Sequence, residues 1–306
     1  MNLKKLIKNP YRIFSVLVSK GLLGWVSDHT FTRWQYRAQN DQWPDLENPK
    51  TFNEKLNWLK LYDRRPEYTM MVDKYLVRDY VAEKIGEEYL IPLLGVWDDP
   101  EEIDFDALPQ QFVLKCNHTS GAGQCVCKDK SKLDIEQVKK ELAKGLKQDY
   151  YKANREWPYK NVPRKIIAEK YIEDENGQLP DYKLMCYDGK VKITMLCSGR
   201  FTQEGMHCTY FGSDWKVLPF EFEYYYPAVK EGLPGPRNFE KMKQLAEKLA
   251  EGLPFVRVDF YEVGDKIYFG EMTLYPNAGF KKFKPDEWDL IQGQWITLPE
   301  EKVCGE

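Results

Sequence analysis

The sequence predicts an α+β fold, and three observations predict it. Its second half is dense in β-forming runs, with Asp188-Gly189 and Gly264-Asp265 as hairpin turn signals between them. A single strongly helical segment, FEKMKQLAEKLAEG over 239–252, interrupts those runs. The first half groups amphipathic helical stretches ahead of its strands rather than alternating strand with helix. No internal repeat or low-complexity segment is present.

Residues 1–26 carry Lys4, Lys5, Lys8, Arg12 and Lys20, with no acid before Asp28. Leu3, Leu6, Ile7, Phe14, Leu17 and Val18 recur near helical spacing, broken at Pro10. Such a stretch is either a basic amphipathic arm for an anionic membrane surface or a helix packed on the body. NPKTFNEKLNWLKLYDRR follows, with a capping-box pattern at Thr51 and Glu54. MVDKYLVRDYVAEKIG reads as one further helix, ended by Gly86. YLIPLLGVW reads as a buried strand, and Phe112 to Cys116 as another. A charged helix is expected over 131–150, then a loop to Pro163. The expected organisation is a helical N-terminal arm over 1–50 and a helical or α+β region over 51–110. A glycine-hairpin subdomain over 111–168 and a β-rich C-terminal subdomain over 169–306 complete it.

Bulk composition narrows the function classes. The net charge of -3 over 306 residues argues against a nucleic-acid partner. No apolar run approaches the roughly 18 residues a bilayer span needs. Seven cysteines, an odd count, suit a reduced, cytoplasmic protein whose thiols are mostly buried. Aromatics at 14% suit a large core or sugar-stacking surfaces, for which Tyr210 and Trp215 are available.

Three stretches could carry chemistry. VRVDFYEVGDKIYFGEMT reads as a hairpin, with strands over 255–262 and 266–273. Side chains alternate along a strand, so Arg257 shares a face with Asp259, and Glu271 with Thr273. Asp259 and Glu271 come roughly opposite one another. Facing carboxylates need a cation between them, either Mg²⁺ carrying nucleotide phosphates or Arg257 in a buried ion pair. FVLKCNHTSGAGQCVCKDK carries Lys115 into a loop with Gly121 and Gly123. Glycines let backbone N–H groups approach an anion while the lysine supplies charge. Lysine ahead of the glycines excludes a P-loop, and a strand after them excludes a dinucleotide fingerprint. Cys116, His118, Cys125 and Cys127 could instead converge as soft metal ligands, although the C-x₂-C spacing of such sites is missing. IIAEKYI offers a strand edge of the kind that reads an adenine ring, with Glu173, Asp174 and Asp181 beyond it for ribose hydroxyls.

Lys74 in VDK, Lys115 in FVLK, AEKYI, RVD and GEMTLYPNAG occur in the order that resembles the ATP-grasp superfamily. NPKTFNEKLNWLKLYD, DKYLVRDYV, FVLKCNHTSG, DYKLMCYDGK, FVRVDFY and IYFGEMTLYP look more specifically like its TupA-like family, over about 47–299. That family is associated with teichuronopeptide, capsule and other surface-polysaccharide biosynthesis. The resemblance implies ATP sandwiched between two α+β subdomains. Lys74 and Lys115 would contact phosphate and the adenine side, and the loop of Ser120, Gly121 and Gly123, with His118 nearby, would close over the γ-phosphate. Glu169, Lys170, Tyr171 and Ile172 would line the adenine hinge, with Asp181 at the ribose. Asp259, Glu271 and Thr273 would hold Mg²⁺. Arg257 would stabilise the transferring group, and Lys183 and Arg200 would add phosphate contacts. One departure stands out, because Thr273 occupies the position where ligases of the superfamily carry an asparagine.

The implied reaction is an ATP- and Mg²⁺-dependent joining of a carboxylate to an amine donor through an acyl phosphate. The carboxylate would belong to a sugar- or uronic-acid-containing precursor, free or lipid-linked. A sugar kinase, a glycosyltransferase-type protein or a non-catalytic nucleotide-binding subunit are the alternatives. The expected location is the cytoplasm, with residues 1–26 offering peripheral contact with the inner membrane surface.

Overall fold

The computed structural model describes residues 10–19, 21–175, 177, 179–198, 205–223, 226–228 and 233–303. Arg200, expected at the phosphates, lies outside the described residues. Two antiparallel sheets with separate cores, each backed by a helix, carry the fold.

The first sheet contains β1 (Leu93–Trp97), β2 (Phe112–Cys116), β3 (Gln124–Cys127) and β4 (Ile166–Lys170), in the order β1-β4-β2-β3. β4 lies wholly within this sheet, so the expected boundary at 168 cuts a strand, and β1 comes from the 51–110 stretch. β1 pairs with β4 alone and is a half-buried edge, not the fully buried strand that its apolar composition suggests. Strand alternation puts Phe112, Leu114, Cys116, Ile166 and Ala168 into a core with Val138 and Leu142 of the helix Ile135–Leu146. Val113, Lys115, Ile167 and Glu169 are left for the other face.

The second sheet contains β5 (Asp181–Tyr187), β6 (Lys190–Ser198), β7 (His207–Gly212), β9 (Phe255–Val263) and β10 (Lys266–Thr273), in the order β10-β9-β5-β6-β7. Between β7 and β9 in the chain, the short strand β8 (Glu221–Phe222) pairs with Phe283–Lys284 instead. The row Leu184, Val258 and Met272 is buried with Met242, Leu245 and Leu249 of the helix Phe239–Leu249. Tyr210 and Trp215 belong to this core too: Tyr210 is buried, and Trp215 stacks on Phe211 at 4.2 Å. Neither is free to stack a sugar.

Helices α1 (Arg12–Ser19) and α2 (Asp28–Asn40) pack together through Phe14, Leu23, Val26 and Phe31. α3 (Phe52–Tyr62) starts at the expected capping box: Thr51 accepts from the Glu54 amide, and the Glu54 carboxylate accepts from the Thr51 amide. The segment expected as one helix over 71–86 is two elements, α4 (Glu67–Val72) and α5 (Val77–Lys84). Asp73 makes the break, its Oδ1 accepting from the amides of Tyr75 and Leu76 at 2.8 and 3.2 Å and from Asn117 Nδ2 at 2.9 Å. The helix expected over 131–150 is Ile135–Leu146, and the expected loop after it contains the short helix Tyr150–Asn154 and a 3₁₀ turn at Trp157–Tyr159.

Candidate active site

The candidate site forms where the polar face of β5–β9–β10 meets the polar face of the first sheet. Strand register sets its centre. Lys183 lies opposite Asp259 and Asp259 opposite Glu271, so one transverse row carries Glu271, Asp259 and Lys183 side by side, with the cation at its end. The next row on the same face holds Arg257 opposite Thr273. Asp259 and Glu271 face each other only because β10 carries a bulge between Phe269 and Glu271. Counted strictly from the turn, Gly270 would stand opposite Asp259 and Glu271 would point into the core. Gly270 suits the bulge, since a Cβ there would lie 3.2 Å from the Asp259 carbonyl and 3.1 Å from the Tyr261 ring.

Of the two readings of the facing carboxylates, the Arg257 ion pair is the one the structure contains. Arg257 donates to Asp259 through Nε at 2.7 Å and Nη2 at 2.8 Å, and Nη2 also reaches Glu271 Oε1 at 2.8 Å. Lys183 Nζ pairs with Asp259 and with Asp181, the latter at 2.7 Å. Asp181, expected at a ribose, therefore anchors a lysine. Burial works against charge on both cations, but their acids prevail and hold Lys183 and Arg257 above their ordinary range. Glu271 is the accessible acid of the row. Burial would raise its carboxyl, yet Lys74, Arg257, Lys183 and Lys115 bring it down to about 2.

Lys74 joins this row to the glycine loop. The break at Asp73 sets it in the turn between α4 and α5, where its Nζ donates to the Thr119 carbonyl at 2.8 Å and lies 3.8 Å from Glu271. Burial and the neighbouring Lys115 lower its pKa, with Glu271 opposing them. Lys115 pairs with Glu169 at 2.6 Å, and Arg78 reaches Glu169 at 3.3 Å. Glu169 is thus the counter-ion of two cations rather than a hinge residue through its side chain. Of the other hinge positions, Lys170 is exposed and Tyr171 donates to Glu173 at 2.5 Å beside Lys128, while Ile172 is half-buried just past the strand.

In the glycine loop, Ser120 and Gly121 are exposed, with Gly121 at φ +83 and open space where a Cβ would go. Gly123 is different: it is buried, and a Cβ there would lie 2.6 Å from Cys116 Sγ and 2.9 Å from Gly145 Cα. It is a packing glycine. His118 also corrects its expected role beside phosphate, being buried with Nε2 3.1 Å from the Gln148 carbonyl. Cys116, Cys125 and Cys127 pack with the first sheet's core, and no cluster of metal-ligating side chains of the His/Cys/Asp/Glu type occurs among the described residues.

Sequence reasoning missed the segment 150–159, which lies close enough to the acids to feel their charge. Tyr150 shares a hydrogen bond with Ser120, and both Tyr150 and Tyr159 feel the charges of Glu156, Glu271 and Arg257. Glu156 is buried, and burial pushes its carboxyl up to about 7 against the pull of Lys60 and Arg257. A run of Tyr and Trp around Pro158 reads as a loop, with no local signal for a buried acid.

For Mg²⁺, oxygen donors of the right hardness stand on one face: Glu271, Asp259 and the Thr273 hydroxyl, 3.4 Å from Glu271 Oε1. Glu271 is the donor open to a cation, since Asp259 is buried with both carboxylate oxygens engaged by Arg257 and Lys183. Asn277 is exposed in a left-handed turn at Pro276–Gly279.

No curated protein matches the chain. Among solved structures it is similar to D-alanine-D-alanine ligase from Helicobacter pylori, at 14% identity over 80% of this chain and 69% of that one, TM-score 0.43. It is also similar to the Bacillus anthracis enzyme crystallised with ATP, at 14% identity over 73% and 64%, TM-score 0.44. D-cycloserine synthetase is a third, at 16% over 75% and 71%, TM-score 0.43. The family model for TupA-like ATPgrasp matches residues 54–297, most of the chain and all of the site just described. The chain belongs to the TupA-like ATP-grasp family.

Proposed function

We propose that this protein is an ATP- and Mg²⁺-dependent carboxylate–amine ligase acting on a uronic-acid- or amino-acid-bearing precursor in surface-polysaccharide biosynthesis. The observation that carries the reading is the meeting of Lys74, at 3.8 Å, and Arg257, at 2.8 Å, on the accessible carboxylate of Glu271, with the charges of Lys183 and Lys115 also acting on it. Four cations around one open acid suit a triphosphate and its metal better than a purely structural ion pair. A carboxylate is a poor electrophile, so its oxygen first attacks the γ-phosphorus, the bond to ADP breaks, and an acyl phosphate forms. The amine then attacks the acyl carbon, phosphate leaves, and the surplus proton is released. Mg²⁺ held by Glu271 and Thr273 would neutralise phosphate charge when bound.

The chain's own residues act by position and charge. Lys74 spans the loop and the acidic row, so closure of the Ser120–Gly121 tip brings backbone N–H groups to the same anion. Asp259, locked between Arg257 and Lys183, keeps both cations aimed along the row. Calorimetric titration with Mg²⁺ and a non-hydrolysable ATP analogue tests the site. Lys115→Ala and Glu271→Gln are expected to weaken binding by at least tenfold, and unchanged affinity in both would remove the site. ADP release that requires a uronic acid together with an amine would establish ligation. Release driven by a sugar hydroxyl without amine would make the protein a kinase.

A further inference from the structure

The N-terminal helical pair carries an apolar surface that the ATP site does not use. Trp25 is 82% exposed, Leu22 58% and Ile13 50%, and Tyr11 and Trp43, whose rings meet edge-on at 5.0 Å, are exposed too. These side chains are held outward by a fixed backbone. Leu23 and Val26, which flank Trp25 in the same turn, are buried against Phe14 and Phe31. The Arg155 guanidinium, itself buried, donates to the carbonyls of Leu23, Gly24 and Val26 at 2.8, 3.5 and 3.3 Å. Gly21, at φ +70, closes α1 by donating to the Val18 carbonyl, and Leu22 donates to that of Leu17. Alongside lies an apolar cavity of about 410 Å³ lined by Pro10, Tyr11, Ile13, Phe14, Leu17 and Trp34.

Charge selects the occupant. Lys4, Lys5, Lys8, Arg12 and Lys20 make the first 26 residues strongly basic in a chain whose net charge is -3. Arg33 and Arg37 lie over the Trp43 and Tyr11 rings at 5.4 and 5.7 Å, cations interleaved with aromatics. Two copies of this face would set like charges against each other, so self-association is disfavoured. Exposed indole and aliphatic groups with arginines beside them, in a strongly basic stretch of sequence, match the interface of an anionic bilayer, where Trp enters the headgroup region and cations meet acidic lipid.

We propose that this face docks the protein peripherally on an anionic membrane surface. Arg155 adjoins Glu156, so the docking turn is tied to the segment whose charges reach the acidic row. The docking itself does not depend on the ligase reading.

The test is flotation of the full chain with vesicles of phosphatidylcholine alone and of phosphatidylcholine with one-quarter phosphatidylglycerol. The wild type is expected to bind the anionic vesicles at least tenfold more tightly, with loss at high salt. Leu22→Ser with Trp25→Ser should abolish most of that binding, and because both side chains are exposed, circular dichroism and nucleotide binding should be unchanged. Equal partition to both vesicles, or binding that survives the double substitution, would overturn the proposal. So would a lipid-free dimer at micromolar concentration that the double substitution dissolves.

Discussion

Lys60 is fully buried, donating to the Ala278 carbonyl at 2.8 Å with its Nζ 4.0 Å from the centre of the Phe280 ring. Burial brings it down to about 7 against the charges of Glu156 and Asp28, just as burial brings Glu156 up to about 7. Each group prefers its neutral form in the fold, with opposite consequences for proton uptake. Glu156 contributes stability that is present below its ordinary value and lost as pH rises through about 7. Lys60 contributes stability that is present above its ordinary value and lost as pH falls through about 7. The two windows do not overlap: through Glu156 stability falls between pH 4.5 and about 7, and through Lys60 it recovers between about 7 and the ordinary lysine value. Lys60→Met removes both the recovery above pH 7 and the charge that holds Glu156 down, so stability should go on falling above about 7, by up to about 1.4 kcal/mol per pH unit. Urea unfolding at several pH values reads this directly, and the same recovery above pH 7 in variant and wild type would show that Lys60 is not the group that titrates there. Neither residue is legible in sequence. Lys60 occupies an ordinary amphipathic helix and Glu156 an apparent loop, and their shared burial depends on elements far apart in the chain.

The glycine loop separates two functions that the motif presents as one. Gly123→Ala forces a Cβ onto Cys116 Sγ and Gly145 Cα, at 2.6 and 2.9 Å, in a residue already at φ +65. A loss of about 2–3 kcal/mol is expected in urea unfolding. Gly121→Ala meets nothing within 4 Å, so only its positive φ opposes it. That strain is about 1–2 kcal/mol at most, while affinity for the ATP analogue should fall more than in Gly123→Ala. If the two variants lose affinity equally, the tip is not the part that meets phosphate. Elements also explain where sequence reading erred. The helix over 71–86 has continuous periodicity, and only Asp73, whose partner Asn117 is 44 residues away, breaks it. Without that break Lys74 would not stand between the Thr119 carbonyl and Glu271.

The two sheets keep separate cores and meet through polar side chains, Lys74 to the loop and Arg78 to Glu169 at 3.3 Å. An interface of this kind gains from any ligand that bridges it. Nucleotide with Mg²⁺ at about 100 times its Kd is expected to stabilise the fold by about 2.7 kcal/mol, seen as a raised Tm that depends on ligand concentration. A Tm indifferent to saturating nucleotide would mean that the nucleotide binds no better to the folded chain than to the unfolded one. Among the described residues no helix is long and apolar enough to cross a membrane. The sequence by itself determined the α+β class, the hairpin of Asp259 and Glu271, the lysine ahead of the glycines and the family motifs, because periodicity, turn residues and short motifs are local. Tertiary structure alone decided which side of β10 Glu271 faces, because a bulge changes parity without changing composition. It alone turned Asp181 and Glu169 into counter-ions, made Gly123 and His118 packing residues, and buried Glu156 beside the acids. Each of these depends on a neighbour supplied by a distant segment, and no spacing within the chain encodes that meeting.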